Sequence, residues 1–413
     1  MSLKPGILIR VFLPFALGYF LSYLFRSVNA VIAPDLVRDI GVDPASLGLL
    51  TSAYFLAFAA FQLPLGVLLD RFGPRRVEAA LLLVAAAGAF TFARAETLTG
   101  LMLGRALIGL GVSACLMAAF KAFTLWFPAE KLPLANGVQM ISGGIGALAA
   151  STPVEMSLKF TDWRGVFLIL AGLTVTAAIC IFLVVPEKPD SRSGETLREQ
   201  LRGIRQVFTS RVFWSIAPWA VAAQAAYLSI AGLWSGPWLR DIAGYDRMTA
   251  ANTLMGISVA MIAGYFAFGS LAERLARRGI KPMTVAAAGM LCFIAVQGMI
   301  VLQMVNLTLL IWLLFGFFGT ACILPYAALS QNFPRHLSGR VNTGLNLLVF
   351  VAAFTAQWAI GLIIDLWPQT TSGGYSAAGY SSSFGLIVIL QLAGAIWYFL
   401  PFGQKKASDN YMP

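Results

Sequence analysis

The chain has 413 residues, 59% of them hydrophobic and 11% charged, where a soluble domain carries about 25% charged residues. So few charges exclude a chain of two or three soluble domains, and the apolar content excludes intrinsic disorder. The net charge of +11 lacks the polar exterior that a nucleic-acid-binding patch needs; apolar and basic together fit a polytopic membrane protein with basic cytoplasmic loops.

A membrane-crossing helix needs about 20 mostly apolar residues. Such stretches occupy 11–34, 47–69, 77–95, 99–125, 133–155 and 164–185. A second set occupies 212–238, 249–272, 282–304, 306–328, 340–365 and 383–402. The expected fold class is therefore an all-α membrane protein with twelve transmembrane helices. Only 186–211 is both long and charged. It divides the chain into a six-helix bundle over 1–187, a cytoplasmic linker over 188–211 and a second six-helix bundle over 212–413. Lys4 and Arg10 precede the first span as in a signal peptide, but Arg26 interrupts it and no small-residue cleavage site follows. That span reads as retained. The four cysteines lie in apolar runs without metal or disulfide spacing and read as small core residues.

An even number of spans puts both termini on one side. If that side is the cytoplasm, the inside segments hold twenty Lys and Arg and the outside segments six, as the positive-inside rule requires. The expected location is the inner (cytoplasmic) membrane. Three cations are left over inside spans: Arg26, Arg105 and Lys121. No acidic residue falls near a span midpoint; Asp35, Glu155, Glu273 and Asp365 come closest.

In span one, Tyr19, Ser22, Tyr23, Arg26 and Asn29 share one helical face. A polar stripe inside a membrane lines a bundle interior or a watery cavity. A guanidinium there suits bidentate capture of a carboxylate or phosphate, or a tie to backbone carbonyls or an outer-end acid. Arg105 lies near the outer end of span four, at the depth of Asp35 and Glu155. It reads as a gating or structural partner of those acids, and the two acids as candidate coupling sites. Lys121, near the inner end of the same span, either snorkels to the interface or reaches the site. Further along, Gln139 in span five, Gln224 and Tyr227 in span seven, Tyr265 in span eight and Asn346 in span eleven are candidate lining residues, or interhelical hydrogen bonds. His336, the only histidine, falls in a loop and cannot anchor a metal site alone.

Two loop signatures recur. Gly66-Val-Leu-Leu-Asp70-Arg71 returns as Gly269-Ser-Leu-Ala-Glu273-Arg274, 203 residues on, and Phe127-Pro128 returns as Phe333-Pro334, 206 residues on. Both offsets are close to half the chain, so two duplicated bundles related along the membrane normal are expected.

The run Gly66-Val67-Leu68-Leu69-Asp70-Arg71-Phe72-Gly73-Pro74-Arg75-Arg76 resembles the loop 2–3 signature of the major facilitator superfamily. Arg105-Ala-Leu-Ile-Gly109-Leu-Gly111 resembles its fourth-helix pattern, and Asp162-Trp163-Arg164-Gly165 its start of helix six. The resemblance implies two pseudo-symmetric six-helix bundles, a central midplane site and rocker-switch alternating access. It makes Gly66, Asp70, Arg71, Gly73 and Arg75 conformational residues, with Glu273 and Arg274 as second-half counterparts. Asp70 would latch onto the start of helix eleven near Ser338-Gly339-Arg340. Organic-anion and sugar-phosphate branches also carry an arginine in helix one. Helix seven here lacks the second arginine of the phosphate carriers, so a phosphorylated substrate is not expected.

The leading reading is thus a secondary transporter of a small organic anion, a carboxylate, with H+ or Na+ as candidate co-ions, working as a monomer in the lipid bilayer. Export of drugs or amphiphiles by proton antiport is the alternative, and a ligand sensor a third. The segment Gly143-Gly144-Ile145-Gly146 lacks the Gly-Pro pair of the drug antiporters. No Walker loop, zinc-protease motif or nucleophile elbow is present, so neither an enzyme nor a cofactor is expected.

Overall fold

The computed structural model describes residues 8–127, 132–187, 197–334, 337–370 and 373–400. All regular structure among them is helical. Eleven helices are long and apolar enough to cross a membrane. They are α1 (Ile9–Ser27), α2 and α3 (44–72 and 74–94), α4 (Leu98–Trp126), α6 (Trp163–Val184), α7 (Arg211–Asp241), α8 (Arg247–Ala276), α9 (Pro282–Val301), α10 (Val305–Gln331), α11 (Ser338–Ile364) and α12 (Ala377–Phe399). The fifth expected span is α5, Leu132–Ala149, continued by Thr152–Ser157. It is less apolar because it carries Asn136, Gln139 and Ser142. The twelve helices form two six-helix bundles, as the sequence predicts.

Helix ends follow local chemistry. The Asp43, Asp162 and Asp246 side chains accept from the backbone N–H of Ser46, Gly165 and Thr249, capping α2, α6 and α8. Between α2 and α3 the chain turns at Gly73, whose φ of 78° only glycine adopts without strain. Outward faces carry exposed Leu168, Ile169, Leu173, Ile179 and Leu183 on α6 alone. Such a surface suits lipid, not water.

Prolines fix two close approaches. Pro34 has no N–H for the Ala30 carbonyl, and against that carbonyl packs Gly236 of α7, where a Cβ would collide. Pro218 likewise frees the Trp214 carbonyl, which accepts from Trp397 Nε1 of α12 at 2.7 Å.

Two details depart from the sequence expectation. Residues 188–211 were expected as a plain linker, yet Leu197–Phe208 forms an amphipathic helix, with Val207 buried and Gly203 against the Arg340 side chain. The last span begins at Ala377, six residues before the expected 383. Its polar start is partly buried and tied to neighbouring segments: Tyr380 donates to Asp241 at 2.8 Å and Gln303 to Ser381 at 2.8 Å.

The repeat is visible in helix interruptions. Helical bonding pauses at Val28, beyond which α1 continues as Asn29–Ile40, and α7 loosens into a π-type turn over Ile230–Trp234. It breaks again at 112–114 in α4 and at Thr320–Ile323 in α10. Helices one and seven, and four and ten, are thus broken at matching positions of the two halves.

Candidate functional site

Helices α1, α5, α7 and α8 surround a cavity between the two bundles. Tyr23, Arg26 and Ser27 line it from α1, Tyr227 and Gly232 from α7, Ser258 from α8 and Ser151 from the break in α5. Interrupted helices supply most of this wall, as expected where backbone polar groups face a cavity. Its volume, about 50 Å³, is far below the roughly 300 Å³ of a small-molecule pocket, so the halves are drawn in around Arg26 in this conformation.

Arg26 is 9% exposed and makes no ion pair among the described residues; its Nε has no hydrogen-bond partner. Aromatic rings surround the guanidinium instead: Tyr23 at 4.6 Å, Phe350 at 5.3 Å, Phe58 at 5.7 Å and Tyr54 at 5.9 Å. Ring faces attract the cation, Tyr54 also interacts with it through its hydroxyl, and Nε is left without a partner. Phe350 belongs to α11 and stacks on Phe58 of α2 at 4.0 Å, so both halves build the cage. Sequence periodicity found Arg26 and Tyr23. It gave no signal for Tyr54, Phe58 or Phe350, which look like ordinary core residues.

The other expected lining residues divide. Tyr227 lines the cavity and stacks on Phe315 at 5.5 Å. Tyr23 is the hub of a phenol cluster, interacting with both Tyr19 and Tyr265. Tyr19 donates to the Met140 sulfur at 3.7 Å. Asn346 bridges the halves: it accepts from Tyr326 at 3.1 Å and donates to Gln62 of α2 at 3.2 Å.

Tyr19, Tyr265 and Asn346 do not line the cavity, and four further expectations are corrected. The pause at Val28 puts Ser27 and Ala30 on the cavity wall, while Asn29 is buried off it with its side-chain oxygen unpartnered. Gln139 is fully buried and spends its amide on the Phe15 carbonyl at 3.1 Å, a tie from α5 to α1. Gln224 is half-buried on α7 but does not line the cavity. Lys121 lines a cleft with Arg71, Arg75 and Arg76, at the face that carries the linker helix. Four turns of helix separate it from Arg105, and the intervening break does not bring it to the cavity.

Arg105 is the largest revision. It does not reach Asp35 or Glu155. Its Nη1 donates to the Phe25 carbonyl at 3.0 Å beside the pause in α1, and its guanidinium lies 5.2 Å from the Tyr54 ring. Arg105 is thus the backbone tie that had also been an option for Arg26. The two acids are taken by Arg247 at the start of α8. Nη1 and Nη2 bind Asp35 at 2.8 and 2.6 Å; Nε and Nη2 bind Glu155 at 2.9 and 3.2 Å. This triad closes the face opposite the linker helix, joined by Thr152 of α5 donating to Asn252 of α8 at 2.8 Å. In the sequence Arg247 is simply one of the six cations of the outside segments.

At the linker-helix face, Arg75 donates from Nε to the Phe182 carbonyl at 2.7 Å, and Arg75 and Arg76 both pair with Glu187. Arg71 lies over its neighbour Phe72 at 5.2 Å. Glu273 pairs with Arg277 one turn along its own helix. His336 and the side chain of Asp70 lie outside the described residues.

The profile of the Major Facilitator Superfamily matches residues 15–357. The chain is 24% identical over 376 residues to the probable sulfoacetate transporter SauU of Cupriavidus necator, covering 84% of this chain and 85% of that one. It is 25% identical over 217 residues to the hexuronate transporter of Escherichia coli, covering 49% and 50%. Among solved structures, a bacterial homologue of the human lysosomal transporter Spinster, inward-facing and occupied, superposes with a TM-score of 0.78 at 18% identity over the whole of both chains. The D-xylose-proton symporter superposes at 0.70 and 16% identity, covering 97% and 99%. The chain belongs to the Major Facilitator Superfamily: it is a multi-span membrane transporter, not an enzyme.

Proposed function

We propose that this transporter carries a small organic anion, a carboxylate, through the cavity at Arg26 by rocker-switch alternating access. The carrying observation is Arg26 itself: a guanidinium buried between the two bundles, caged by rings, with no carboxylate of the described residues paired with it. A buried cation kept without a counter-charge is costly in a membrane, and an arriving anion supplies the missing charge. The names of the relatives support the class, since sulfoacetate and hexuronates are carboxylates.

In this reading both termini and the linker are cytoplasmic, the membrane is the inner membrane, and the bundles divide at the 188–211 segment. The Arg247 triad closes the outer face. The loop over 66–76 latches the cytoplasmic face, and Asp70→Asn is expected to cut transport while expression is kept.

The test is uptake into proteoliposomes of sulfoacetate, galacturonate and neutral galactose. Wild type takes up at least one anion and no galactose, and Arg26→Ala takes up none. Anion uptake unchanged in Arg26→Ala overturns the proposal.

A further inference from the structure

Glu78 stands in the first turns of α3 and is fully buried. The expected span 77–95 leaves it at an edge, but α3 starts right after the Gly73 turn, which carries Glu78 a turn deeper. Neither carboxylate oxygen has a hydrogen-bond partner. Oε1 lies against Gly18 of α1, where a Cβ would collide with it, and Ile181 of α6 closes on the same glycine. From α4 the polar neighbour is the Cys115 thiol, a weak donor that does not reach hydrogen-bonding geometry.

No cation neutralises Glu78 among the described residues. Arg75, one turn earlier on α3, is turned to the Phe182 carbonyl and Glu187, and Arg76 to Glu187. Arg26 lies eight residues beyond Gly18 along α1 and Lys121 six beyond Cys115 along α4, rises of about 12 and 9 Å. An ionised carboxylate is not kept unpaired in such a place; the group is stable there as the neutral acid. Asp35 and Glu155 differ, because Arg247 pairs with both and Arg38 pairs with Asp35 as well.

The helices that enclose Glu78 are those that build the site. Two turns past Gly18, α1 carries Arg26. At Cys115, α4 restarts after its interruption. Gln62 donates to the Ser113 carbonyl inside the interruption and accepts from Asn346 of the other bundle. Movement of the second bundle against the first therefore pulls on the α4 break, and any parting of α1 or α4 from α3 admits water to Glu78.

We propose that Glu78 is a proton-binding site, filled in the conformation seen here, and that its proton is the ion coupled to anion transport. The coupling rests on the anion reading; the proton site does not. When α1 or α4 moves away in one access state, the carboxyl O–H breaks and the proton passes to water on that side; in the opposite access state the carboxylate takes a proton from water on the other side, and the helices close over the neutral acid again.

Purified wild type and Glu78→Gln are compared by infrared difference spectroscopy and in proteoliposomes. Glutamine matches the neutral acid in shape, so the fold is kept. The expected result is a protonated-carboxyl stretch in wild type that Glu78→Gln lacks. Exchange of sulfoacetate or galacturonate without a pH gradient stays within about twofold, while gradient-driven accumulation falls by about tenfold or more. Absence of the carboxyl band, or accumulation equal to wild type, overturns the proposal. A wild type that moves none of these anions fails the anion reading and leaves the proton site to be decided by the infrared band alone.

Discussion

Arg247 and Asp35, 212 positions apart and in opposite bundles, are joined by two parallel hydrogen bonds of 2.8 and 2.6 Å. The same guanidinium binds Glu155, so one side chain of the second half holds two carboxylates of the first. A charge-assisted fork of this kind is directional, and separation of the bundles at this face must break it.

Arg247→Gln is therefore expected to favour opening of this face. Because Arg247 is about a third exposed, its contacts contribute only about 1–2 kcal/mol, a shift of roughly 5–30-fold in the open population. Labelling of a cysteine placed at Ala250, measured with a water-soluble maleimide, rises in the variant. Equal labelling rates would show that the triad does not hold the face shut.

Gly236→Ala should act in the same direction by a different route. The added methyl meets the Ala30 carbonyl that Pro34 leaves unpaired, and α1 and α7 must separate. Gly172→Ala, with open space around it, is the control. The same maleimide assay should report faster labelling for the first and no change for the second.

The two buried arginines should respond oppositely to Met. Arg26→Met removes an unpaired buried charge and raises the melting temperature, equivalent to about 1–2 kcal/mol, while abolishing anion uptake. Arg105→Met strips the Phe25 carbonyl of its donor and lowers stability by about 1–3 kcal/mol. Thermal unfolding in detergent checks both. A lower melting temperature for Arg26→Met would assign Arg26 a structural role.

Glu187→Ala should change stability by less than about 1 kcal/mol, because the ion pairs it makes with Arg75 and Arg76 are half exposed. A larger loss, measured in the same unfolding assay, would mean that the loop between α2 and α3 is held mainly through Glu187.

Much of this protein is written locally. Runs of apolar residues define the spans, the recurrence of Gly66–Arg71 at Gly269–Arg274 marks the duplicated halves, and a period of 3.6 puts Tyr23 and Arg26 on one face. Those properties depend on neighbours along the chain, so the sequence alone determined them. Partner choice does not. Whether Arg105 meets Asp35 or the Phe25 carbonyl depends on where α1 pauses and how α4 is rotated. That Arg247 takes both acids depends on how the bundles lean together. Glu78 is a span-edge residue until Gly18 and Cys115 are packed over it. The tertiary structure decided these, because hydropathy sets only which segments enter the membrane. The depth, rotation and crossing of the helices within it set which polar groups meet.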